Sequence, residues 1–294
     1  MAGRLLFYLR VEYSIDMNVS KIIRISRPRF WLYELGTYAL GVCIGLSAGG
    51  SMQAIFIILF GVLFLFPANF FIYGVNDVFD YETDRLNPKK MGYEDTLPPA
   101  VHKKVLNSVF WINLPFIIIG LFIPWKAFIS LLVFYFFAFF YSAPPIRAKA
   151  RPFFDSLFSA SHYVVTAVCG YYLVGAEGGI ALPVFAGICW AVAMHAYSAV
   201  PDIDADKDSG ISTIAIALGK KATIVLCGFL YVLAGLAAFQ YVGFVVFLFM
   251  VPYVFLMYLS YDAADAKLFR LYTYFPYLNA GIGMILFFIF LFRI

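Results

Sequence analysis

Asn76, Asp77, Asp80 and Asp84 form one polar group in this chain, and Asp202, Asp204, Asp206 and Asp208 form a second. Together they hold seven of the 17 acidic residues, and each follows a long apolar segment. A carboxylate close to a bilayer is costly to keep ionised without water, a cation or a positive partner, so two such concentrations point to paired divalent-cation sites. If the preceding segment continues as a helix, Asn76, Asp80 and Asp84 stand at i, i+4 and i+8 on one face, with Asp77 beside them. A row of like charges repels itself. It becomes favourable when Mg²⁺ and an anionic ligand share it, because Mg²⁺ keeps waters and takes one or two carboxylates plus phosphate oxygens. The bland alternative is a solvated helix end paired to Arg85 or Lys89. In the second group Asp202 and Asp206 share a face, while Asp204 and Asp208 point the other way. Asp208 is expected to cap or to pair with Lys207, and Gly210 to permit the turn that follows.

Cations suited to the same ligand lie between the two groups. The stretch Tyr141-Ser142-Ala143-Pro144-Pro145-Ile146-Arg147-Ala148-Lys149-Ala150-Arg151 ends an apolar run with a double proline and continues with alternating basic residues. A metal-bridged diphosphate needs such cations for its remaining charge. Arg27 and Arg29, ahead of the first apolar run, carry the same two readings: ligand contact, or ordinary anchoring at the membrane surface.

The elements that position these residues must be membrane helices. The chain has 294 residues, of which 63% are hydrophobic and 13% charged, too little polar surface to cover a soluble globule. Spans of about 20 residues are read at 30–48, 54–75, 105–123, 125–142, 156–175, 180–200, 222–240, 242–260 and 271–292. Nine spans put the N-terminal arm on one side with segments 76–104, 143–155, 201–221 and 261–270. That side then holds 19 of the 21 Lys and Arg residues, leaving Lys126 and Arg293 opposite. Such asymmetry predicts a cytoplasmic N-terminus and cytoplasmic acidic groups. The net charge of +4 therefore reflects topology, with no case for a nucleic-acid partner. Residues 1–20 lack the continuous apolar core of a signal peptide, and Arg10 to Arg29 reads as a basic amphipathic helix on the membrane surface, with 1–25 as an N-terminal arm. Cys43, Cys169, Cys189 and Cys227 all fall in spans without metal or redox spacing and read as packing residues. No linker divides the chain, so 1–294 reads as one helical domain. The acidic groups follow the second and sixth spans, a weak echo of two related halves.

With these residues in place, the chain resembles the UbiA superfamily of intramembrane prenyltransferases. Asn76-Asp77-x-x-Asp80-x-x-x-Asp84, Tyr141-Ser-x-Pro-Pro-x-Arg147-x-Lys149 and Asp202-x-x-x-Asp206-x-x-x-Gly210 occur in that family's order, with Arg27-Pro28 ahead of the first span. The resemblance covers nearly everything after residue 20. It implies nine transmembrane helices around a central cavity capped by cytoplasmic loops, and Mg²⁺-dependent transfer of a prenyl group from a prenyl diphosphate to a lipophilic acceptor. It further implies that Asn76, Asp80 and Asp84, with Asp77 beside them, hold one metal and Asp202 and Asp206 the other. Arg147 and Lys149, with Arg27 or Arg29, would hold the diphosphate; Asn76 and Tyr141 would border it. The family's aromatic-prenylating members carry an Arg-Pro-rich stretch after the first motif, where this chain has Asn87-Pro88-Lys89-Lys90. Ser26-Arg-Pro-Arg-Phe-Trp31 and His195-Ala-Tyr-Ser-Ala-Val-Pro-Asp202-Ile are instead similar to the lycopene elongase branch, which adds isoprenyl units to carotenoid ends.

The chemistry so implied needs no nucleophilic side chain. Cations on the diphosphate stabilise the leaving group, and an allylic carbocation must then be shielded from water and kept near a weak nucleophile. Tyr73, Phe70, Phe137 and Tyr197 fall on spans expected to border the site. Among polar residues inside spans, Glu34 is the better candidate for proton removal or for pairing with a cytoplasmic arginine. His195 reads as a hydrogen-bonded interhelix residue, and His162 lies in the fifth span. The rival readings are an aromatic or glyceryl-phosphate acceptor for the same chemistry, and, from another class, a cation transporter. A transporter needs acids near mid-span, whereas these lie at span ends.

Overall fold

A computed structural model of the chain describes residues 17–84 and 97–294. Arg85, Asn87, Lys89 and Lys90 lie outside the described residues, as does most of the expected N-terminal arm. What is described of that arm is a short helix, α1 (Val19–Ile25), whose Asn18 cap accepts from the Lys21 amide at 2.9 Å.

Every regular element among the described residues is helical. The long ones fall on the nine expected spans: α2 (Trp31–Ser47), α3 (Ala54–Leu65) running into α4 (Pro67–Phe79), α6 (Pro99–Gly120), α7 (Trp125–Ser142), α8 (Phe154–Leu173), α9 (Ala181–Ala199), α12 (Lys220–Val242), α13 (Val246–Tyr261) and α14 (Asp265–Leu291). Three short helices follow the acidic groups: α5 (Tyr81–Asp84), α10 (Ile203–Asp208) and α11 (Ile214–Leu218). By length and composition, five stretches can cross a membrane: Ala54–Phe79, Trp125–Ser142, Ala181–Asp208, Lys220–Tyr261 and Asp265–Leu291. The fourth is two helices, since α12 and α13 pack along each other through the turn Gly243–Val245. α8 is less apolar for a physical reason. Its Asp155, Ser156, Ser159, Ser161, His162 and Thr166 are buried and face other helices, not the outer surface. Large apolar side chains line that outer surface instead, among them Leu32, Trp111, Phe244 and Tyr277, each more than 60% exposed.

α8 is the central helix and packs along α2, α7 and α9. Its contact with α2 is close because small residues face it: a Cβ on Gly41 would run into the Ala167 carbonyl, and one on Gly170 into the backbone of Tyr38. Thr37 and Thr166 hydroxyls meet across that seam at 2.6 Å.

Two breaks shape the route to the first acidic group. The second span bends at Phe66 because Pro67 has no amide to continue the ladder. Asn69 Nδ2 donates to the Phe64 and Leu65 carbonyls at 3.0 and 3.1 Å, satisfying acceptors next to the break. The second break comes at Asp80, which caps α4 with φ −104 and ψ 0 and hands the chain to α5.

Candidate active site

Asp80 is the centre of the first group. It is fully buried, and its Oδ2 accepts from Asn76 Nδ2 at 2.5 Å and from Ser142 Oγ at 3.2 Å. Lys149 Nζ lies 2.5 Å from the same oxygen, and Arg147 reaches Oδ1 at 3.8 Å. Asn76 Nδ2 also donates to Ser142 Oγ at 2.9 Å, which leaves the amide's carbonyl oxygen outside these bonds. Asp77, beside this knot, pairs with Arg27 at 2.7 Å, and the Arg27 guanidinium lies over Tyr73. Asp84 is half-buried on α5, where its amide still bonds the Asp80 carbonyl at 2.8 Å. Backbone hydrogen bonding thus continues across the bend at Asp80.

The second group sits on a single-turn helix, Val200–Asp202, and on α10. Asp202 and Asp206 are half-buried there, while Asp204 and Asp208 are exposed. Gly210, at φ +68, makes the turn that returns the chain to α11. Tyr141, next to Asp80's partner Ser142 on α7, has its hydroxyl 3.1 Å from His195 Nε2 on α9, the helix that leads into the second group.

Arg27 and Arg147 share a feature that sequence reasoning missed. Each has a left-handed backbone, φ 51 and φ 44, which is uncommon outside glycine and tends to mark functional sites. Each opens a single turn of 3-10 helix, Pro28–Phe30 and Ala148–Ala150, that sets a second cation, Arg29 or Lys149, two residues on. Arg27 precedes α2, and Arg147 precedes its packing partner α8. The repeated Arg-x-cation spacing was the available signal. Arg147 Nε is buried with no hydrogen-bond acceptor among the described residues, although the guanidinium lies 3.8 Å from Asp80 Oδ1.

Other expected residues lie elsewhere. Glu34 does not meet an arginine. It pairs with His162 at 2.7 Å, fully enclosed between α2 and α8, and Oε2 has no hydrogen-bond partner among the described residues. Phe70 and Tyr197 are packing residues with no exposure, Phe137 packs on Phe158, and Tyr73 is the aromatic residue at the arginine. The four cysteines are buried and free.

The ligand chemistry fits Mg²⁺. Both groups offer only hard oxygen donors, with no histidine or thiol among them. Among the described residues no three His, Cys, Asp or Glu side chains converge to hold an ion unaided. A site built from one or two carboxylates plus ligand phosphate oxygens has this form.

The model of the UbiA prenyltransferase family matches residues 35–279. The chain belongs to that family. It is therefore a prenyltransferase, and an integral membrane protein. It is 36% identical over 262 residues to a lycopene elongase/hydratase of Halobacterium salinarum, covering 89% of this chain and 93% of that one. It is 34% identical over 221 residues to the lycopene elongase/hydratase of Corynebacterium glutamicum, with 74% and 76% covered. Its fold matches a UbiA homolog from Archaeoglobus fulgidus bound to DMAPP and Mg²⁺, with a TM-score of 0.67 at 21% identity, covering 92% of this chain and 99% of that one.

Proposed function

We propose that this prenyltransferase lengthens a polyene acceptor of the lycopene type, drawing a prenyl group from a prenyl diphosphate in a Mg²⁺-dependent reaction. The observation that carries the clamp is the buried Asp80 knot, where Lys149 and Arg147 converge and Arg147 Nε lacks an acceptor. Two metal positions are assigned, one to Asn76, Asp80 and Asp84 with Asp77 beside them, the other to Asp202 and Asp206. When bound, Mg²⁺ neutralises charge that builds on the departing diphosphate. Lys149 and Arg147 take the remaining diphosphate oxygens from one side, and Arg27 and Arg29 from the other. The allylic C–O bond then breaks with its electron pair leaving on the diphosphate. The apolar interior keeps water from the allylic cation, and the acceptor's alkene supplies the pair for the new carbon–carbon bond.

The polyene acceptor is supported by the relatives' names and by the Ser26 to Trp31 and His195 to Ile203 stretches. All nine long helices are read as crossing the membrane as one domain, with Leu32 on α2 and Trp111 on α6 among the exposed apolar side chains that suit contact with lipid. The basic asymmetry supports a cytoplasmic N-terminus and cytoplasmic acidic groups. The test uses purified protein in detergent with geranylgeranyl or dimethylallyl diphosphate and Mg²⁺. Pyrophosphate release that depends on lycopene is the expected result. Turnover of a hydroxybenzoate, a naphthoate or glyceryl phosphate in its place would overturn the polyene acceptor.

A further inference from the structure

When the acceptor's alkene attacks the donor carbon, the new cation lies one carbon from the bond just formed. The group that ends the reaction must therefore stand beside the clamp. Tyr141, near the end of α7, adjoins Ser142, whose hydroxyl donates to Asp80 Oδ2 at 3.2 Å. The Tyr141 hydroxyl is 3.1 Å from His195 Nε2 on α9. Across the ring, His195 Nδ1 is 3.1 Å from Ser156 Oγ and 3.9 Å from Asp155 Oδ2, both on α8. Asp155 is fully buried; its Oδ2 accepts the Ile214 amide at 3.0 Å, and its Oδ1 has no hydrogen-bond partner among the described residues. The result is a line of tyrosine hydroxyl, imidazole and buried carboxylate leading away from the clamp. That order suits proton uptake: with Nδ1 donating to Ser156 Oγ and the carboxylate 3.9 Å away, Nε2 is left to accept a proton from the tyrosine.

Resting on the prenyl transfer proposed above, we propose that Tyr141, His195 and Asp155 form the proton-accepting chain that ends the reaction. A C–H bond next to the acceptor cation breaks, and its electron pair forms the new alkene. The proton goes to Tyr141 Oη as the tyrosine's own proton passes to His195 Nε2, and Asp155 balances the imidazolium. If water reaches the cation, its oxygen forms a C–O bond and its proton leaves along the same chain, giving a tertiary alcohol. Tyr141 is the group in contact with the reacting atoms, and His195 and Asp155 act through it. His195 is the hydrogen-bonded interhelix residue that the sequence suggested, and the proposal adds proton transfer to that role.

The test is the ratio of elongated product to pyrophosphate released, measured in the purified protein with Mg²⁺, dimethylallyl diphosphate and lycopene. In His195→Ala the ratio is expected to fall about a hundredfold, with prenyl alcohol accumulating and added imidazole restoring product. His195→Gln, which keeps a polar side chain without the base, should lower the ratio likewise and guards against a folding defect in the alanine variant. An unchanged ratio in both variants overturns the proposal. So does a parallel loss of product and pyrophosphate that imidazole does not restore, which marks a purely structural role. A fall in Glu34→Gln with none in the His195 variants would move the role to the Glu34–His162 pair. Should the wild type turn over a different acceptor, the polyene reading fails by itself, and the same ratio measured on that acceptor still tests the chain.

Discussion

Asp80 concentrates the chemistry at the residue scale, because one buried carboxylate receives an amide, a hydroxyl and a lysine while an arginine stands near its second oxygen. Removing it has two consequences. Asp80→Ala should abolish transfer, and it should also destabilise the fold by about 3–5 kcal/mol, since Lys149 is left buried without its carboxylate. Asp202 is only half-buried, so Asp202→Ala is the cleaner probe. Its transfer rate should fall by about a hundredfold or more with the melting temperature nearly unchanged, assayed by product formation and thermal unfolding in detergent. Retained transfer in both variants would sink the two-metal clamp. The residues of this site were legible in the sequence because carboxylates at four-residue spacing beside a bilayer have few inexpensive explanations. Their partners were less legible. Nothing in the spacing says that Lys149 approaches Asp80 across 69 positions or that Glu34 meets His162, since such pairings depend on how helices rotate about their axes. His195 was read as bland for the same reason: Tyr141 and Asp155 reach it from two other helices.

At the scale of elements, long apolar runs made the helices readable, and the breaks were read less well. The second span was read as 54–75, with the acids aligned only if the helix continued; it bends at Phe66, where Pro67 interrupts the ladder, and again at Asp80. The left-handed turns at Arg27 and Arg147 strengthen the weak echo of two halves. Each turn opens a helix of the central pair α2 and α8, so the two sets of cations are presented by one local device used twice. The seam between these helices makes a direct prediction. Gly41→Val pushes a branched side chain into the Ala167 carbonyl and should cost about 1–3 kcal/mol, seen as a lower melting temperature in detergent. A variant that melts with the wild type would mean the helices are not held this closely.

At the scale of the whole molecule, the proposed arrangement is a bundle with both acidic groups at its cytoplasmic end. All four native cysteines are buried, so single introduced cysteines can report the topology. Glu177 and Asp204 are exposed and flank α9 at opposite ends. In intact cells a membrane-impermeant maleimide should label Glu177→Cys at once, and Asp204→Cys only after permeabilisation. The reverse pattern would invert the bundle. The acceptor is the claim furthest from the clamp, because the clamp holds only the donor's head. It is tested most directly by the masses of pigments extracted from lycopene-accumulating cells that express this chain. Carotenoids lengthened by one or two five-carbon units, and absent when Asp202 is replaced by alanine, are the expected result. Unaltered lycopene in cells where the expressed protein consumes prenyl diphosphate on another acceptor would contradict it.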